Sequence, residues 1–263
     1  MTEGVRTFRF FLRVTRATMS YHWNWSVFLS PAPSGDTTYL GWMLSGLKMT
    51  VALSLSAWVM ALILGSIMGV LRTVPNRWLS GIATAYVELF RNVPLLVQLF
   101  IWYFVLPELL PANLGNAFKQ TDPTFQQFFS AMICLGFFTS ARICEQVRAG
   151  IGSLPPGQKN AGLAMGFTLP QTYRHVLVPM AFRLIVPPLT SEFLNIFKNS
   201  AVCSTIGLLE LAAQGRQLVD YTAQSYESFI AVTLLYLLIN VVVMLVARQV
   251  EERTRVPGYI GGK

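Results

Sequence analysis

Charge is what this sequence has least of. Only 12% of its 263 residues are Asp, Glu, Lys or Arg, where a soluble domain carries about 25%. Too few side chains remain to solvate an ordinary globular surface. The three cysteines, Cys134, Cys144 and Cys203, form no CxxC pair, which excludes a redox motif or a metal knuckle. They read as small buried hydrophobes. The two histidines, His22 and His175, are too far apart to suggest a metal site, and no metal ligand is assigned. There is no GxxxxGK[ST] phosphate loop, no GxSxG elbow and no HExxH pair. No catalytic residue is therefore assigned. Any uphill work must draw on another chain or on an ion gradient. The formal charge of +8 comes without a basic patch interleaved with stacking aromatics, so no nucleic-acid partner is expected.

What is present is apolar length. Hydrophobic residues make up 53% of the chain, and the pattern predicts an all-α membrane protein with lipid as its solvent. Five spans are expected, at about 43–71, 79–106, 128–147, 176–197 and 229–247, each able to cross a hydrocarbon core of roughly 30 Å. These form a membrane domain over 40–249, preceded by an N-terminal extension and interfacial segment, 1–39, and followed by a tail, 250–263. Trp23, Trp25 and Phe28 read as an interfacial aromatic anchor. Arg72, Arg77, Arg148, Lys159, Arg174, Arg248, Arg253, Arg255 and Lys263 fall in loops 72–78 and 148–175 and in the stretch from 248 onward that leads into the tail. The other two loops hold only Lys119 and Arg216. The positive-inside rule then puts the N-terminus outside and the C-terminus in the cytoplasm. Arg6, Arg9, Arg13 and Arg16 disagree with that placement. We accordingly expect the true start at Met19, or else residues 1–18 as a poorly ordered extension.

Several local features stand out. Gly65 and Gly69 form a GxxxG pair suited to close helix packing. Glu88 and Arg91 are spaced to pair with each other, and Pro94 should bend the second span. Arg142, Glu145 and Arg148 suggest an ion-pair ladder. In the fourth span Ser191, Glu192, Asn195, Lys198 and Asn199 fall within an arc of roughly 120° at about 100° per residue. Such a stripe on an apolar span should face a wet cavity or a partner helix. With Arg91, these five are the candidate substrate path.

Between the third and fourth spans, 149–175 reads as a small helix–turn–helix. Ala161, Ala164 and Met165 share one helical face. Gly166 suits a left-handed C-terminal cap. Thr168, Pro170 and Gln171 make a capping box with proline in the first turn.

That loop, QKNAGLAMG, resembles the cytoplasmic EAA loop of bacterial ABC-importer permeases. Asn160-Ala161-Gly162 stands where that family has Glu-Ala-Ala, and Gly166 on its glycine. YVELFRNVPLLVQ, from Tyr86 to Gln98, is similar to the FRGTPLLVQ signature of polar-amino-acid ABC permeases, departing at Asn92 and Val93. ARICEQVRAG and LTSEFLNIFKNS extend the resemblance over nearly everything from residue 19 onward.

The resemblance implies the type I importer permease fold, with a cytoplasmic coupling helix, in the bacterial inner membrane. It implies ABC ATPase subunits, which would hold ATP and magnesium, a homologous second permease subunit and a periplasmic substrate-binding protein. Gln158, Lys159, Asn160, Ala161, Gly162, Ala164, Met165, Gly166, Thr168 and Gln171 would then meet the ATPase. RTVPNRWLSG, KNAGLAMGFTLPQ and PGYIGGK are similar to members that import glutamate and aspartate. Another polar amino acid, such as glutamine or a basic one, is the alternative within the class. An ion-coupled secondary carrier would show internal repeats, and none is found.

Overall fold

The computed structural model describes residues 21–33 and 35–254. The expectations for Met19, for the basic segment 1–18 and for PGYIGGK lie outside the described residues. Among those residues there are helices and one isolated antiparallel bridge, Pro31 to Thr38, but no strand.

Helix α1 spans Tyr39–Leu71. Thr38 caps it, its hydroxyl accepting from the Gly41 N–H at 3.3 Å. Its 33 residues give about 50 Å at 1.5 Å per residue. It runs alongside helix α5, Pro123–Gly152, which starts from an Asp122 cap. The two lie parallel and close because α1 presents glycine at the contacts. A Cβ on Gly65 would stand 2.7 Å from the Ser140 carbonyl, and one on Gly69 2.5 Å from Val147 Cβ. The GxxxG pair thus packs helices within this chain. Lipid offers little hydrophobic drive between helices, so such close contact carries much of the association.

The expected second span is broken. Helix α2, Arg77–Asn92, and helix α3, Leu95–Leu109, meet at 103°. Val93, ahead of Pro94, is extended at φ −90°, ψ 128°, as pre-proline sterics favour. Gln98 closes the break: its side-chain nitrogen lies 2.9 Å from Phe90 O and 2.8 Å from Val93 O, donating to both. The end of α2 therefore keeps satisfied carbonyls while the chain turns a corner. Among the described residues four helices are long and apolar enough to cross a membrane, and five spans result if this bent pair counts as one.

The loop between the expected second and third spans contains a short helix α4, Ala112–Lys119. Helix α6 is Pro156–Ala164. Helix α7 runs over Leu169–Ile206, so it begins seven residues before the expected 176. It includes a wide turn at Tyr173–Leu177 and closes in a 3-10 turn, Ser200–Ile206. Three prolines are accommodated: Pro179 follows the wide turn, and Pro187 and Pro188 lie inside the helix. Helix α8 is Leu211–Thr222 and helix α9 is Ser225–Thr254, so part of the expected tail is helical. α9 leaves Leu234, Leu237, Leu238, Val241 and Leu245 exposed, as a lipid-facing helix should.

One polar hub escaped the sequence reading. Glu210 is wholly buried. Its carboxylate caps α8, accepting from Ala212 N at 2.9 Å and Ala213 N at 2.8 Å. Tyr236 of α9 also donates to it, at 2.7 Å. Thr50 of α1 accepts from Leu211 N at 3.1 Å. Three helices, α1, α8 and α9, are thereby tied together.

Candidate coupling loop and translocation path

The 149–175 segment is a tight hairpin of α6 and the start of α7. Pro156 begins α6, where a missing N–H costs nothing. Two backbone bonds close it, Phe167 N to Gly162 O at 3.2 Å and Gly166 N to Leu163 O at 3.0 Å. This is a Schellman pair, and it puts Gly166 at φ +87°. Thr168 and Gln171 then form the reciprocal capping box that starts α7.

Gly162 is buried for a different reason. A Cβ there would stand 2.8 Å from Thr172 Cγ2, so glycine lets the two arms of the hairpin touch. Tyr173 anchors the hairpin, donating to Thr73 O at 2.7 Å in the turn after α1. Its role was not visible in the sequence, because the partner is 100 residues away.

Of the ten candidate coupling residues, Gln158 and Lys159 are half-buried and Gly162 is buried, while Asn160, Ala161, Ala164, Met165, Gly166, Thr168 and Gln171 are exposed. Leu163, Met165 and Phe167 add large exposed apolar side chains beside them. A water-facing hairpin with three such residues is a surface suited to a protein partner.

The polar stripe sits on one side of α7. Ser191 and Lys198 are exposed, and Glu192, Asn195 and Asn199 half-buried. Gln146 of α5 faces it, its Nε2 donating to Glu192 Oε1 at 3.4 Å. The other amide atom, Gln146 Oε1, is buried without a partner among the described residues. Arg142, one turn earlier on α5, is the charged neighbour of Glu192. Its guanidinium also lies 4.8 Å above the Phe138 ring. Arg142 and Gln146 belong to this face by their i, i+4 spacing, a signal present in ARICEQVRAG that the stripe on α7 overshadowed.

Arg91 is not brought to the stripe. It pairs with Glu145 at 3.0 Å, and Glu145 also holds Arg72 at 2.6 Å and Arg148 at 2.9 Å. The expected pair with Glu88 does not form, since Glu88 accepts from Asn92 Nδ2 at 2.9 Å. The expected ladder is half present: Arg148 meets Glu145, while Arg142 turns away. Three guanidiniums on one carboxylate leave a net positive knot joining the ends of α1 and α2 to α5. Adjacent positions on α5 diverge by about 100°, so Glu145 and Gln146 serve different faces.

Comparison with known proteins decides the family. Residues 61–256 match the family described as binding-protein-dependent transport system inner membrane component. The chain belongs to that family. It is an inner-membrane permease of the polar-amino-acid ABC type, as the sequence motifs indicated. It is 61% identical over 246 residues to the glutamate/aspartate import permease protein GltJ of Escherichia coli (strain K12), covering 93% of this chain and 100% of that protein. It is 33% identical to the probable glutamine ABC transporter permease protein GlnM of Bacillus subtilis (strain 168), covering 80% of this chain and 92% of that one. Among solved structures, an amino acid ABC transporter with histidines superposes at TM-score 0.69 and 28% identity, over 82% of this chain and 95% of that chain. The MetNI methionine transporter, at TM-score 0.68 and 21% identity, shares the fold. The permease hairpin and stripe described above lie within the matched region.

Proposed function

We propose that this permease carries glutamate and aspartate across the bacterial inner membrane as one subunit of an ATP-driven importer. The observation that carries the substrate is the 61% identity to GltJ over that protein's full length. In this reading a periplasmic binding protein delivers the amino acid, and a homologous second permease subunit completes the path. ATP and magnesium belong to separate ATPase subunits. The N-terminus is periplasmic and the C-terminus cytoplasmic, which the arginines of 72–78, 148–175 and the tail support.

Residues 158–171 dock on the ATPase. Leu163, Met165 and Phe167 supply the apolar contact, and Gly166 with the capping box at Thr168 and Gln171 fixes the angle between the two arms. Tyr173 passes ATPase motion to the turn after α1. The stripe of Ser191, Glu192, Asn195, Lys198 and Asn199 lines the path. An acidic amino acid presents two carboxylates and one ammonium, which suit the Lys198 cation with the amides of Asn195 and Asn199, and the Glu192 carboxylate. A charge at membrane depth is costly unless paired or used, and Lys198 has no ion-pair partner among the described residues. Arg91, engaged by Glu145, serves the knot between helices instead.

Uptake of radiolabelled glutamate into proteoliposomes containing the whole complex and its binding protein tests the reading. Competition by excess aspartate and none by glutamine is expected. Competition by glutamine alone would move the substrate to the other branch of the family.

A further inference from the structure

We propose that an apolar groove between α1, α7 and α9 is a binding site for an anionic phospholipid. The inference uses the permease reading only for membrane placement and for the side taken by the second subunit. The groove encloses about 310 Å³ and is lined by Trp58, Leu62, Phe182, Val186, Phe193 and Val250, among others. Thr190 brings the one hydroxyl in its wall, and that hydroxyl donates to Glu251 Oε1 at 2.9 Å. Beyond the Trp58 indole N–H no polar group is left in the wall, too little to hold the two carboxylates and the ammonium of an acidic amino acid, so the groove is no part of the substrate path.

Its position also points away from the second permease chain. At about 100° per residue, the groove residues of α7 centre roughly 160° round the helix from the polar stripe. If the stripe faces the path between subunits, the groove faces lipid.

Charge selects the lipid class. α7 and α9 run in opposite directions, so Arg183, next to the groove residue Phe182, and Arg253, three residues after Val250, lie at the same end of the groove. Both stand at the margin of the groove-lining faces, roughly 70° from their centres at about 100° per residue, and both are exposed. Neither forms an ion pair among the described residues. Glu251 is turned to Thr190, and helical spacing sends Arg248 and Glu252 to other faces of α9. Two cations at the mouth of an apolar slot fit a headgroup phosphate with its acyl chain inside. On the proposed orientation this mouth opens toward the cytoplasmic leaflet.

The test uses the complete complex, both permease chains with the ATPase, in nanodiscs carrying phosphatidylglycerol or phosphatidylcholine brominated on the acyl chain. Trp58 lines the groove, and its contribution is isolated by comparison with a Trp58→Phe complex. Quenching of that contribution is expected at lower mole fractions of phosphatidylglycerol, with each arginine contributing roughly fivefold. The double variant Arg183→Gln, Arg253→Gln should remove the preference and leave ordinary quenching by phosphatidylcholine. Equal quenching by both lipids in the unaltered complex would overturn the proposal in favour of ordinary boundary lipid. Absence of quenching by either would overturn it by showing the second permease chain seated there. Glutamate uptake is measured separately, so failure here leaves the substrate reading standing.

Discussion

Gly166 and Gly162 are neighbours in sequence whose side-chain-free positions answer different demands. Gly166 sits at φ +87° with open space around its missing Cβ, so a substitution there meets conformational strain and no collision. Left-handed geometry costs an L-residue about 1–2 kcal/mol, with asparagine the mildest and a β-branched residue the worst. Gly166→Asp is expected to leave the chain inserted but to lose ATPase co-purification, because the strained turn and added charge disturb the hairpin proposed to dock there. Normal co-purification of that variant would contradict the assignment. At Gly162 the obstacle is Thr172 itself, so Gly162→Leu should separate the two arms whatever the backbone angle. Reducing the partner with Thr172→Ser should partly rescue it. The other residue-scale test concerns Glu145. Replacing it by Gln leaves Arg72, Arg91 and Arg148 facing one another. A loss of about 1–3 kcal/mol is expected, read as a lower Tm of the purified complex. An unchanged Tm would show the knot to be solvent-screened.

At the scale of elements, the long apolar helices were legible and the corners were not. α1, α5 and α9 announce themselves because a hydrocarbon solvent demands continuous apolar length. α5 and α9 run past both expected limits because the helix continues into polar residues beyond the apolar stretch, while α1 ends at the expected Leu71 and begins four residues early, at Tyr39. Pro94 marked the break before α3, yet its 103° angle depends on Gln98 reaching back over the turn, which no local pattern encodes. Pro179, Pro187 and Pro188 all fall inside the expected fourth span and inside the observed helix. A wide turn ahead of Pro179 accommodates it, and α7 tolerates the lost bonds at the other two. The hairpin at 156–171 was readable in detail, since capping boxes and left-handed glycines are local rules. The Glu145 knot and the Glu210 hub were not, since each joins residues far apart in sequence. The Gln98 brace makes its own prediction. Gln98→Leu leaves two carbonyls without their donor, and a loss of about 1–3 kcal/mol is expected. Gln98→Asn should not rescue it, being one methylene too short. A wild-type Tm for Gln98→Leu would mean that the corner holds without it.

The whole molecule presents two surfaces that a lone permease leaves unmatched: a water-facing hairpin and a polar stripe at membrane depth. The fold places them at different levels of the same helix α7, which begins at the hairpin's capping box and carries the stripe, centred on Asn195, about 40 Å along its axis, counting roughly 26 residues from Leu169 at 1.5 Å each. A displacement of the hairpin can thus be delivered to the stripe by one continuous helix anchored through Tyr173. Lys198→Ala is expected to reduce glutamate uptake at least tenfold while leaving assembly with the ATPase intact. Retained uptake would move the substrate contact to the partner chain. The most direct measurement is ATP hydrolysis by the reconstituted complex of both permease chains and the ATPase. The cognate binding protein would be added loaded in turn with glutamate, aspartate, glutamine or arginine. Stimulation by the glutamate- and aspartate-loaded forms alone, lost in Gly166→Asp, is the predicted result. Stimulation by glutamine or arginine instead, or hydrolysis indifferent to the binding protein, would contradict it.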